Sequence, residues 1–598
     1  MEKNTIWAVV LSTIVLVGSM FIQTKFFPTQ NKQTVQTETV QEKEAVETQL
    51  DSVNTIVTNK IENVLSADEE TAIEEFYTIK TNKVEVVFST RGGDIISYKL
   101  LDHFDRDTST GVELSDNVSE LNRTCSIAFG GASNSIINEV FTARKLDDYT
   151  IGFYKTFLIE NSDKTENRFT LYKTYSFKPD EYAFKLDIAI EGAENSNGLN
   201  FDGIAYTIRT SPQLGPHFDK KADRYESRQF IAFNGEKAKK IVLSEKQFKV
   251  YDKENVSWAG IGGKYFVGLI IPTEKTAVKN VYYSSLIEKN NYANAQALVE
   301  RSSFTGKKLR DSYYLYLGPR NEKDLRIYNV AANNKWNVEG LRLGECLQSS
   351  GFLSWLETIL KWMMEMIYKV IPNWGVSIII LTILLKLVMF PLTKKSSMGT
   401  QKMQEMQPRI QAIQAKYKDN PQKMQQETAK LYKEAGYNPV SGCLPMVFMF
   451  VVLFAMFNLF NNYFEFRGAM FIPGWIPDLS AGDSIYRFNF NIPFIGSDLR
   501  LLPIIYVISQ LLFGKITQNG GTMTGSNAAQ MKMMMYGMPL IFFFMFYNAP
   551  AGLLLYWLTS NILQMIQQIF INKMMAAKKA EMANNNSNKK LPPKAKRK

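Results

Sequence analysis

Hydrophobic and polar positions follow three different patterns along the chain. At the start, Ile6–Ile22 is an almost unbroken apolar run behind a short charged stretch containing Lys3. No small-x-small cleavage signal follows, because MFIQTKFF is bulky, so residues 1–28 are expected to form an uncleaved signal anchor. Residues 29–76 are rich in Thr, Gln, Glu and Val with almost no aromatics. That composition buries too little apolar surface to offset ordering entropy, which predicts a flexible tether with at most a short helix near Asp68–Phe76.

Over residues 77–345 the period becomes two. KVEVVFSTRGGDIISYKL reads as strand–turn–strand about RGGD, and NRFTLYKTYSFKPDEYAFKLDIAIEG repeats the pattern about KPDE. KYFVGLIIP and DSYYLYLGPR add strands, and helical periods are scarce. An all-β, sandwich-like domain is the economical expectation, acting as a binding or docking platform without chemistry.

The last third is helical and apolar. FLSWLETILKWMMEMIYKV, over 352–370, places Leu353, Leu356, Ile359, Leu360, Met363 and Ile367 at helical spacing, with Lys361, Glu365 and Lys369 largely opposite. Such a helix lies in the membrane interface. Residues 371–573 then form a membrane domain with spans at about 374–392, 443–460, 499–513, 533–547 and 553–571. With the anchor this makes six spans in all. Two are nearer 15 residues than 20 and need bilayer thinning or burial among neighbours. Residues 393–440 are polar: Met403, Met406, Ile410, Ile413 and Tyr417 keep a three–four rhythm, as do Met424, Thr428, Leu431 and Ala435. KDNPQ between them predicts an antiparallel helical hairpin. Phe464–Asp498 reads as a polar connection containing Pro and Gly.

One position breaks the apolar pattern of the first long span, WGVSIIILTILLKLVMFPL. Lys386 lies six residues before Leu392, about 9 Å of helix rise, and Thr382 sits four residues earlier on the same face. A cation in a spanning helix costs about 2.5–3.5 kcal/mol on insertion scales. Two readings stay open: a lysine that snorkels to the near surface, or a wet cavity between helices. Asn458, Ser509, Gln510, Ser560, Asn561 and Gln564 are the other polar groups within the later spans, and no carboxylate lies deep in any of them. An unpaired cation requires water or a transient anion, which favours a hydrophilic groove open to one side and disfavours a proton-relay pump. Asn561 and Gln564, a turn apart, also suit bonds between neighbouring helices.

Composition narrows the function further. The chain has 598 residues and a net charge of +11. Three cysteines and two histidines give no disulfide framework, no CxxC and no HExxH, and GIGGKY lacks the spacing and hydroxyl of a nucleotide-binding loop. No cofactor, metal or catalytic chemistry is expected. Thr393–Asn438 carries nine Lys or Arg against four acids, and the tail, Asn572–Lys598, nine against one. Phe464–Asp498 has four acids against two bases. The positive-inside rule therefore places the hairpin, the tail 574–598 and the N-terminus in the cytoplasm, with the β domain exported, which suits a bacterial periplasm. The basic residues, among them Lys394, Lys395, Arg409, Lys416, Lys418, Lys594, Lys596, Arg597 and Lys598, suit anionic lipid or another polyanion.

Three stretches in this order, WGVSIIILTILLKLVMFPLTKKS, MQPRIQAIQAKYKDNPQKMQQETAKLYKEAGYNPVSGCLP and MPLIFFFMFYNAPAGLLLYWLTSNILQMIQQ, resemble the YidC/Oxa/Alb family of membrane protein insertases. The preceding β region, with RGGD and FDGIAY, is similar to the exported domain of the branch found in two-membrane bacteria. The resemblance implies an insertase and chaperone acting on nascent membrane proteins, alone or with the Sec translocon, and often supplied by ribosomes. It implies that Lys386 occupies the place of the family's groove arginine, Thr382 that of its substrate-contacting threonine, and Tyr556 and Trp557 that of its aromatic pair. Lysine keeps the charge but not the five-donor fork of arginine. Met449 and Val451 stand where the family usually has Gln-x-Pro, which makes that wall more apolar. The rival class is a small-solute or ion transporter with a sensory β domain. Such a protein usually shows internal repeats or broken midplane helices, and neither is found here.

Overall fold

The period-two segments pair into antiparallel sheets. The computed structural model describes residues 61–588 apart from 67–72, 106–109, 162–165, 193–197, 218–225, 245, 252–254, 286–294, 348–352, 437–438, 493–494 and 518–535. The predicted anchor 1–28, most of the predicted tether, and Lys594, Lys596, Arg597 and Lys598 of the tail lie outside the described residues.

A ten-stranded sheet runs in the order Ile61–Ser66, Thr150–Asn161, Glu166–Ser176, Ala183–Gly192, Lys308–Pro319, Phe266–Pro272, Trp258–Gly262, Gln229–Phe233 and Ala238–Val242, with Thr142–Asp147 also paired to Thr150–Asn161. A five-stranded sheet (Phe248–Val250, Val278–Ser284, Gln296–Phe304, Leu199–Arg209, Ile127–Phe129) and a four-stranded one (Phe76–Lys80, Val84–Ser89, Asp94–Phe104, Gly111–Glu113) share its core. Two strands correct the tether expected over 29–76. Ile61–Ser66 pairs with Thr150–Asn161 and a second strand begins at Phe76, while most of Asp68–Phe76, where at most a short helix is expected, lies outside the described residues. Val64 packs on the core, so this edge position supplies the burial that local composition lacks.

RGGD is the turn expected, and it does more than turn. Gly93 has φ +60 and a Cβ there would come within 2.8 Å of the Phe153 side chain. The following Asp94 is buried, where it receives Arg123 Nε at 2.9 Å and the fully buried Lys173 ammonium. Lys173 Nζ also donates to the carbonyls of Gly92 (3.1 Å) and Cys125 (3.2 Å), so this buried charge is fully satisfied.

Among the described residues eight α-helices follow in order: α1 Glu322–Arg326, α2 Ser354–Val370, α3 Trp374–Lys416, α4 Pro421–Glu434, α5 Pro439–Asn462, α6 Leu501–Thr517, α7 Met538–Phe546 and α8 Ala551–Asn588. Their bounds revise the predicted spans. The first span does not stop at Leu392 but continues as a 43-residue helix through Pro391 and Pro408 into the first arm of the hairpin. Proline removes a backbone donor without ending the helix, and the polar second half is helical in its own right. Asn373 caps α3 by accepting from Val376 N at 3.0 Å. The GCLP segment that was expected to open the span at Cys443 lies inside α5. Leu499 belongs to a strand, so α6 starts at Leu501. Of the span predicted over 533–547, residues 533–535 lie outside the described residues and the α-helix α7 covers Met538–Phe546. The last span begins at Ala551 and runs on to Asn588, well past Ile571.

α3 and α4 form the predicted helical hairpin, with Met406, Ile410 and Leu431 buried between its arms and Ile413, Tyr432 and Ala435 beside them. On α2 the expected apolar stripe divides. Leu360 and Met364 are buried against the bundle, while Ile359 joins Trp355, Trp362 and Met366 on an exposed apolar face. The helix therefore has apolar surface on two sides, with Lys361 and Glu365 toward Tyr463 and the β domain.

The candidate groove around Lys386

α3, α6 and α8 bring Lys386, Ser509, Asn561 and Gln564 into one hydrogen-bonded neighbourhood, and a stripe on α8 joins them. Asn561, Gln564, Gln568 and Asn572 recur every three or four residues, so they face one side of the helix. Lys386 Nζ donates to Gln564 Oε1 at 2.9 Å. One turn on, Gln567 Nε2 donates to the Lys386 carbonyl at 3.0 Å. Ser397 Oγ donates to Gln568 Oε1 at 3.1 Å, Asn561 Nδ2 to Ser509 Oγ at 2.7 Å, and Asn572 Nδ2 to the Ile516 carbonyl at 3.3 Å. One face of the last helix thus binds both α3 and α6 through amides. Sequence reading reached Asn561 and Gln564 but missed Ser397, Gln567, Gln568 and Asn572, although the repeat in NILQMIQQIFIN carries the signal.

Lys386 has a protein partner that the sequence did not announce. Beside the water or transient anion expected to solvate the cation, the structure places a neutral amide. The cation is only 9% exposed, and among the described residues no carboxylate pairs with it. Thr382, 1% exposed, returns its hydroxyl to the Ile378 carbonyl at 2.7 Å, so it adds volume and polarity to the wall and no bond to Lys386. Tyr556 points elsewhere, packing on Phe460 of α5 at 5.7 Å. Trp557 lies between Phe546 (4.7 Å) and Tyr506 (5.9 Å), and its buried indole N–H has no partner among the described residues. The same holds for the buried Gln567 Oε1. Gln510 is engaged with Tyr506 on its own helix (2.7 Å), and Asn458 is half-buried on α5, outside the hydrogen-bonded set.

The other end of the bundle is sealed by the connection between α5 and α6, which is more than the polar loop expected. Ala551 N and Gly552 N at the start of α8 donate to the carbonyls of Ala481 (2.5 Å) and Leu479 (2.8 Å). Asp483 Oδ2 accepts from Leu501 N (2.8 Å), Leu502 N (2.9 Å) and Trp475 Nε1 (2.9 Å), so one carboxylate fixes both the loop and the N-terminus of α6. Behind these bonds Ile378, Phe466, Ile476, Leu479 and Leu554 are buried together. A cluster of amides and one cation therefore lies below an apolar plug. Of the basic residues named above, Lys395, Arg409, Lys416 and Lys418 are exposed along the hairpin and Lys394 is half-buried.

Two family models cover the sheet-rich and the helical region and meet within α2. Residues 77–363 match the YidC periplasmic domain and residues 366–579 match the 60Kd inner membrane protein family. A relative from Treponema denticola is 47% identical over 96% of this chain and 100% of its own length. The chain belongs to the YidC family. A second YidC relative, from Treponema pallidum, is 37% identical over 96% of this chain and 99% of its own. Both relatives are named membrane protein insertase YidC. A solved active YidC insertase with its first transmembrane domain resolved is similar to this chain at 18% identity and TM-score 0.34, over 85% of this chain and 94% of that one. As a YidC family member the protein combines a sheet-rich periplasmic domain with a helical membrane domain.

Proposed function

We propose that this protein inserts membrane proteins. A polar segment of a nascent chain enters between α3, α6 and α8, and the following apolar segment partitions into lipid. The observation that carries this is the state of Lys386: an ammonium enclosed in an apolar span whose hydrogen-bond partner among the described residues is the neutral Gln564 amide. A carboxylate or backbone carbonyl of an incoming chain can replace that amide, since a charge-assisted bond outcompetes a neutral one. The Trp557 N–H and Gln567 Oε1, without partners among the described residues, offer one donor and one acceptor to the same segment. No nucleotide is needed, because burial of apolar surface at about 25 cal/mol per Å² drives the release. No step in this sequence makes or breaks a covalent bond.

Six spans, with both termini and the α3–α4 hairpin cytoplasmic and the β domain periplasmic, follow from the charge asymmetry. The exposed Lys395, Arg409, Lys416 and Lys418 then face anionic lipid headgroups or ribosomal RNA. The Sec translocon is the expected neighbour where insertion is shared.

The decisive experiment places a photocrosslinker at Thr382, Lys386 or Trp557 and presents a stalled single-span nascent chain. In parallel, insertion into proteoliposomes is followed for Lys386→Ala and Lys386→Arg. Crosslinks at all three positions, with insertion lost in the alanine variant and kept in the arginine one, are expected. Absence of crosslinks, or solute flux that depends on Lys386 while insertion is intact, overturns the reading.

A further inference from the structure

The connection between α5 and α6 contains a two-stranded ribbon, Tyr486–Ile492 paired with Gly496–Leu499, whose role the groove leaves unexplained. Its first strand, YRFNFNI, alternates with period two, so Tyr486, Phe488 and Phe490 share one face and Arg487 and Asn489 the other. The three rings form a ladder, 5.0 Å and 5.4 Å between successive centroids. Tyr486 is 60% and Phe490 63% exposed, so the ladder faces away from the rest of the described protein. On the opposite face Arg487 Nε pairs with Asp498 Oδ1 at 3.1 Å.

An isolated two-stranded ribbon is marginal in water, and an exposed aromatic ladder calls for something to cover it. Where the ribbon sits decides what that is. Tyr547, at the end of α7, donates its hydroxyl to the Asp498 carbonyl (2.9 Å) and accepts from Arg500 N (3.0 Å). The base of the ribbon is therefore level with the ends of α6 and α7, at the sealed end of the bundle. The flanks of those helices expose Ile508, Leu512 and Ile541, which in a membrane protein is the lipid-facing belt. Depth is limited from the other side. A two-stranded ribbon has two outer edges of backbone N–H and C=O groups, of which the Asp498 carbonyl is bonded to Tyr547, and hydrocarbon does not tolerate such edges whereas the hydrated headgroup layer does.

We propose that this ribbon is a membrane-surface foot, its Tyr486–Phe488–Phe490 face resting in the lipid headgroup layer beside α6 and α7 and its Arg487–Asn489 face in water. The foot would hold the apolar plug at a fixed height above the groove, because the same segment carries Asp483 and the contacts to α8.

Spin labelling of the full-length protein in phosphatidylethanolamine–phosphatidylglycerol vesicles tests this. Cys443 is replaced by serine. Cys125 and Cys346 are buried and stay unlabelled. Labels at Phe490→Cys and, as an independent position on the same face, Tyr486→Cys are expected to be more accessible to oxygen than to a water-soluble nickel chelate. Their depth should be that of headgroups, and Asn489→Cys should show the reverse preference. Equal access of the nickel chelate to 486, 489 and 490 would put the ladder in water and overturn the proposal. Low access of both reagents at 486 and 490 would also overturn it, by showing that protein, a second copy or another segment, covers the face.

Discussion

At the scale of single residues the groove turns on one bond. Removing Gln564 strands a buried ammonium, and a lost hydrogen bond to a charged group costs about 1.5–3 kcal/mol. Gln564→Leu is therefore expected to lower the thermal stability of the purified protein, as read by denaturation in detergent. Adding Lys386→Met removes the stranded charge as well, and replacing both partners of a buried polar pair by apolar groups is often neutral or stabilising. The double variant should regain stability while insertion in proteoliposomes stays lost. Recovery of both would show that the cation is structural. His103 gives a second prediction. It lies in the β domain beside Tyr182 (3.2 Å) and Asp102 (3.7 Å), with Phe464 from the membrane domain edge-on to its ring. Burial holds its pKa below the ordinary 6.5, with the nearby Asp102 opposing and Arg467 reinforcing. The folded state then binds fewer protons than the unfolded one, so this contribution to stability is complete above pH 6.5 and is lost as pH falls from there toward the lowered value. His103→Gln should flatten that part of the stability–pH profile.

At the scale of elements the plug is held by close approach. A Cβ on Gly375, in the first turn of α3, would lie 2.1 Å from the Phe471 ring of the sealing connection. Overpacking of this kind costs about 1–3 kcal/mol. Gly375→Ala is expected to loosen the seal, seen as faster labelling of a cysteine placed at Ile476 by a polar maleimide. Unchanged labelling would mean that Phe471 moves aside at no cost. Asp483→Ala should act on the same element through the other end, since it deprives α6 of its N-terminal acceptor, with a cost of about 0.5–2 kcal/mol. The helices themselves were readable from their periods, and so were the hairpin arms. Their ends were not, because Pro391 interrupts an apolar pattern without interrupting the helix, and α8 stays helical after its hydrophobicity stops.

At the scale of the whole molecule the β domain and the bundle meet in a small joint. Arg467 Nη2 donates to the Phe104 carbonyl at 2.8 Å, and its guanidinium lies 4.9 Å from the Phe266 ring. Phe464 sits against His103, Tyr265 and Phe266, and Lys361 of α2 pairs with Glu322 of α1 at 3.0 Å. An exposed ion pair contributes about 0–1 kcal/mol, whereas truncating a packed phenylalanine costs several times that. Phe464→Ala should broaden the distance distribution between spin labels on the β domain and on α6, and Lys361→Ala should barely change it. The reverse order would show that charge, not ring packing, fixes the joint.

Local pattern alone determined the alternation of the exported domain, the amphipathic α2, the apolar helices and the isolated cation at Lys386, because strand and helix periods and the cost of burying charge are properties of short segments. The family likeness was legible too, in three ordered stretches. Only the tertiary structure decided what those pieces meet. It drew Ile61–Ser66 out of a chain that composition reads as tether, since its partner strand lies about a hundred residues away. It gave Lys386 an amide from a helix 178 positions on. It turned a polar connection into a plug and a ribbon, because the acceptors for the helix ends come from Leu479, Ala481 and Asp483. A contact between distant segments leaves no periodic mark in either of them, and every feature the sequence missed at this site is such a contact.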